Sequence, residues 1–140
     1  MVEINVEYQG DLHCQAQHGP SGASLVTDAP VDNHGRGASF SPTDLVATAL
    51  GTCMATVMGI LAKKRGFQLE GTKVRVNKTM THALPRRIAE LAVEITLPAR
   101  ATHSVAGARA ELEQAANQCP VRLSLLDAIA VPTRFDWQQE

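Results

Sequence analysis

Cys53 and Cys119 are the side chains whose settings in this 140-residue sequence suit chemistry. Cys53 sits in "LGTCMATVMG", Leu50 to Gly59, an apolar stretch with no charge beside it. Such a sulfur is either a small core hydrophobe, the common fate of cysteine on an apolar helix, or a nucleophile placed where water is scarce. Cys119 stands directly before Pro120 at an expected helix start, where free backbone N–H groups and the positive helix end would lower its thiol pKa; the alternative is an incidental cap. Sixty-six residues separate the two, so only the fold could bring them together.

Other chemistry-bearing types read as structural. Cys14 alternates with Leu12 and Ala16 on an expected strand and is assigned to core. His13, His18, His34, His82 and His103 pair neither with one another nor with cysteine at zinc-site spacings, and are read as surface residues. No phosphate-cradling glycine loop and no Ser-His-Asp signature stands out.

The elements that must position the sulfurs follow from periodicity. Val2, Ile4, Val6 and Tyr8 alternate with polar neighbours, and beyond the turn-like "QGD" Leu12, Cys14 and Ala16 alternate again, which predicts a β-hairpin. "SLVT" is a third short strand, and Asp28 to Ser41 reads as a loop. "SPTD" opens a helix with Ser41 as N-cap, Pro42 at N1 and Asp44 at N3, running to Arg65 with Gly66 as terminator. Apolar residues recur from Leu45 to Leu61 with only Ala, Thr or Gly between them, so this helix is expected to be buried nearly all round. The uncharged run Leu45 to Ala62 reaches the lower limit for a membrane span, but its Thr and Gly residues and the alternating strands that follow favour a core helix. Two antiparallel strands follow around Val74–Val76 and Leu91–Leu97, joined across "THALPRR". A helix over "SVAGARAELEQAANQC", a new helix at "CPVRLSLLD" and a last strand from Ala128 to Phe135, kept at an edge by Pro132, complete the chain. The order β-β-β-α-β-β-α-α-β is an α+β arrangement in a single domain, residues 1–140.

Thirteen basic against fourteen acidic side chains give a net charge of -1, which carries no footprint for nucleic acid or an anionic membrane. Three dispersed cysteines and an N-terminus without a basic-then-apolar leader fit a reducing, cytoplasmic setting.

Together, "SPTDLVATALGTC" and "NQCPVRLSL" resemble the OsmC/Ohr family of cysteine-dependent peroxidases over most of the chain. The resemblance includes the element order, a proline eleven residues before the first cysteine, and the Cys-Pro pair after the second long helix. It implies an OsmC-like fold of antiparallel sheets wrapped around a long apolar helix, in an intertwined homodimer with sites at the interface. It also implies that Cys53 is the peroxidatic thiolate that attacks an organic hydroperoxide and becomes a sulfenic acid. Cys119 would then resolve it to a disulfide, which a dithiol reductant, typically a lipoyl group, reopens without metal or haem. The alternative is a non-catalytic dimer whose apolar interface pocket holds a hydrophobic small molecule.

An apolar pocket around Cys53 would raise its thiol pKa by desolvation, so a nearby cation is needed. The family uses an arginine held by a glutamate. The hairpin "QGDLHCQAQH" offers His13 and His18 and the loop "NHGRGASF" offers Arg36; Arg36 is the first choice, since guanidinium stays charged and donates in pairs. The family's glutamate directly follows the proline, where this chain has Thr43; Asp44 is one place later. Asp44 lies nine residues before Cys53, on the opposite helix face and about 13 Å along the axis, so it could orient Arg36, act across a dimer, or only cap the helix.

Overall fold

The computed structural model describes residues 1–102 and 107–139. The chain divides into two compact units, Met1–Val46 and Ala47–Glu140.

The first unit is a three-stranded antiparallel sheet in the order β1-β2-β3, with β1 Ile4–Gly10, β2 His13–His18 and β3 Ser24–Asp28. Asp11 and Leu12 both take positive φ, 49° and 60°, as a two-residue hairpin turn requires. Leu12 therefore belongs to the turn and not to the strand face expected for it, and it is exposed. Register sets Ile4, Val6 and Tyr8 opposite His18, Ala16 and Cys14, and sets Leu25 beside Ala16. This face is apolar yet open: Ile4, Val6 and Tyr8 are more than half exposed. Cys14, expected in the core, is only half-buried for the same reason.

Helix α1, Pro42–Arg65, starts and stops where its caps dictate. Asp44 N–H donates to Ser41 Oγ at 3.2 Å, and Ser41 N–H donates to Asp44 Oδ2 at 2.8 Å, a reciprocal capping box. At the far end Gly66 and Phe67 N–H both donate to Ala62 O, at 2.8 and 2.9 Å.

The second unit packs α1 on a sheet in the order β4-β5-β6: Lys73–Met80, Ile88–Leu97 and Thr133–Trp137. β4 and β5 are antiparallel, as the alternation predicts. β6 joins β5 in parallel, a departure from wholly antiparallel sheets. The reason is the connection, because α2 (Ala108–Asn117) and α3 (Pro120–Ser124) carry the chain back across before β6 begins. β6 is an edge strand entered directly after Pro132 and runs two residues beyond the expected end. The expected first turn of the helix before Cys119, Ser104–Ala106, lies outside the described residues, as does His103. The core holds Leu50, Met54 and Met58 of α1, Leu91, Ile95 and Leu97 of β5, and Leu112 of α2, all fully buried.

α1 is not buried all round. One face is covered, and Thr48, Thr52, Thr56 and Ile60 lie exposed on another. A single sheet covers only one side of a helix. Thr52 and Thr56 hydroxyls donate to the carbonyls one turn back, Thr48 O and Thr52 O, each at 2.8 Å, so the open face needs no further polar partner.

Candidate active site

Cys53 sits on the flank of the buried stripe of α1. Ala47, Leu50, Gly51, Met54, Met58 and Ala62 face inward at i, i+3 or i+4 spacing, and Gly51 lets the helix come close to Val74 and Val76 of β4. One residue before Met54 and three after Leu50, Cys53 is half-buried, at the edge of the core.

Cys119 is placed by the break between α2 and α3. The following proline restricts it to extended backbone, φ -66° and ψ 146°, and this makes it the N-cap of α3. Its Sγ accepts the Arg122 N–H at 3.4 Å, and the side chain is fully buried.

The fold brings the two sulfurs near enough to interact, since Cys53 is one of the groups that set the titration of Cys119. Burial is the main cause that pushes the Cys119 pKa up, and Cys53 pushes the same way. The Arg122 and Val121 N–H groups pull it down and lose. The expectation of a lowered pKa at this helix start is thus reversed, because desolvation outweighs two neutral donors at a one-turn helix.

Arg36 and Asp44 belong to the first unit, where each has a partner. Asp44 is engaged in the capping box of α1. Arg36 pairs with a different carboxylate, Asp28, with Nη2 at 3.5 Å from Oδ1. Asp28 was missed by sequence reasoning. It ends β3 opposite His13, whose Nδ1 lies 2.5 Å from the same Oδ1, and it accepts the Ala38 N–H on Oδ2 at 3.0 Å. The hydrogen bond from His13 holds the Asp28 pKa below the usual carboxylate range, aided by Ala38 and Arg36 and opposed by burial. His13 is therefore a half-buried partner of Asp28 and not the surface residue expected. His18, also half-buried, bonds Ser21 Oγ, while His34 and His82 are exposed. The signal for Asp28 was the hairpin register that aligns residues 13 and 28, but the irregular turn from Gly19 to Ala23 hides it in the sequence.

Among the described residues no three His, Cys, Asp or Glu side chains group as metal ligands would.

A protein from Psychrobacter arcticus assigned to osmotic stress induction and detoxification response has a similar structure, with 38% identity, 96% of each chain covered and a TM-score of 0.87. An organic hydroperoxide resistance protein, OsmC, from Legionella pneumophila shares the fold at 14% identity and a TM-score of 0.74, covering 97% of this chain and 96% of that one. Another from Elizabethkingia anophelis does so at 13% identity and a TM-score of 0.75, with 99% and 96% covered. No curated protein matches the sequence significantly. The family model described as OsmC-like protein matches residues 35–134, a span that includes both paired cysteines. The chain belongs to the OsmC-like protein family.

Proposed function

We propose that this protein is a thiol-dependent peroxidase that reduces organic hydroperoxides, with Cys53 as nucleophile and Cys119 as resolving thiol. The observation that supports the reading is the proximity of two sulfurs sixty-six residues apart in the chain, one half-buried and one enclosed. The half-buried sulfur can meet a substrate; the enclosed one can meet only its neighbour.

The Cys53 thiolate attacks the distal oxygen of the hydroperoxide. The O–O bond breaks, an S–O bond forms, and the alkoxide leaves as alcohol after taking a proton. Sulfur is oxidised by two electrons to a sulfenic acid and the peroxide is reduced by the same two. Cys119 then gives up its proton and attacks the Cys53 sulfur, hydroxide departs and is protonated to water, and a Cys53–Cys119 disulfide closes. A dithiol reductant, such as a lipoyl group, reopens it by exchange. Arg36 is the proposed activating cation.

The proposal includes a homodimer. The open Thr48, Thr52, Thr56 and Ile60 face of α1 and the open apolar face of β1 support it, since a second copy would cover both.

Variants at each sulfur test the assignment. Cys53→Ser should abolish peroxide turnover while the fold persists by circular dichroism, and Cys119→Ser should stall at a sulfenic acid that dimedone traps. Turnover of cumene hydroperoxide by Cys53→Ser at the native rate would contradict it.

A further inference from the structure

Cys119 anchors more of the chain than its neighbours do. Among the described residues from Asn117 to Ala130 it alone is fully buried, while Leu123 of α3 and Leu126 just beyond it are largely exposed. α3 itself has little else to hold it. It is five residues long with none buried, and its hydrogen bonds include Arg122 N–H to Cys119 Sγ at 3.4 Å, Leu123 N–H to Cys119 O at 3.1 Å and Ser124 Oγ to Pro120 O at 2.8 Å. Beyond α3 the chain next joins β5 at Ala130, whose N–H donates to Ala89 O and whose carbonyl accepts the Leu91 N–H. Cys53, by contrast, lies on a 24-residue helix whose inward stripe is packed in the core. A disulfide keeps its sulfurs about 2 Å apart, closer than unbonded sulfurs can come. Closure therefore has to move a sulfur, and the side that yields is the lightly held segment and not the packed helix.

We propose that α3 is a redox-sensitive element: closing the Cys53–Cys119 disulfide draws the Cys119 sulfur off the Arg122 N–H, and the turn, left without its cap, opens in the oxidised protein. The link itself rests on the peroxidase reading, in which Cys119 resolves Cys53. The redox state of an enclosed sulfur is then displayed at the surface, in a segment that carries Leu123 and Leu126. α1 and β5 keep their structure in both states.

Amide exchange followed by NMR, in the reduced protein and after oxidation with diamide, tests this without peroxide. Diamide takes two electrons and two protons from the thiols into its N=N bond as the S–S bond forms. The Arg122 amide should exchange about fivefold faster in the oxidised protein, the weight of a lost N-cap, while the Leu112 amide of α2 stays as it was. Cys119→Ser keeps a hydroxyl cap and cannot form the link, so its Arg122 amide should not respond to diamide. Cys119→Ala has no cap and should show the faster exchange with no oxidant. Arg122 exchange that the link leaves unchanged or slows, a Cys119→Ala amide as protected as the native one, or sulfurs that diamide leaves unlinked would each overturn the proposal. Where a variant does not fold, the two states of the wild type decide alone. The peroxidase reading fails separately. A protein that diamide links and uncaps, but that meets cumene hydroperoxide no faster than free cysteine, keeps the switch and loses the peroxidase; a link formed by peroxide over an unmoved α3 does the reverse.

Discussion

Burial and charge set the work of individual residues here, and both give pH signatures. Cys119 has a raised pKa in the folded chain, so the stability it contributes is complete below the ordinary thiol range and is lost as pH rises through the raised value. Disulfide closure needs its thiolate and should therefore accelerate with pH across that range, read as the decay of the Cys53 sulfenic acid in a quenched time course. Asp28 has the opposite sign. Its depressed pKa gives stability that is present above the usual carboxylate range and lost as pH falls through the depressed value, and Asp28→Asn should flatten that acid loss in urea titrations. The two sulfurs were legible as chemistry in the sequence, because a Cys-Pro pair and an uncharged helical cysteine are local features. The direction of the Cys119 shift was not, since it depends on how much of the chain encloses the sulfur.

The elements were the more legible scale. α1 carries its start and stop in Ser41, Pro42, Asp44 and Gly66, and the caps form as written. Ser41→Ala should therefore cost about 1 kcal/mol in urea unfolding, as loss of an N-cap does. Gly51 is set by packing, not by its backbone: an added Cβ would meet Val76 Cγ2 at 3.0 Å. Gly51→Val should destabilise by roughly 1–3 kcal/mol through overpacking against β4. What periodicity could not reveal were pairings between distant segments. The parallel β5–β6 ladder depends on the path through α2 and α3, and the His13–Asp28 alignment depends on an irregular turn.

For the molecule as a whole, the expectation that α1 is buried all round failed in one chain and points to the assembly. Its apolar composition is more than one sheet can cover, and the proposed homodimer accounts for the remainder. Sedimentation equilibrium at micromolar concentration should give twice the chain mass, and Thr52→Arg on the open face of α1 should shift it toward the monomer. A monomer in the wild type would require another partner for that face. The central claim concerns the sulfur pair, and the most direct measurement titrates the reduced protein with one equivalent of cumene hydroperoxide and maps the thiols by mass spectrometry. Rapid loss of two thiols with a Cys53–Cys119 link is the predicted result. Reaction no faster than free cysteine, or a product in which either sulfur stays unlinked, would contradict it and favour a protein that binds a hydrophobic small molecule without reducing it.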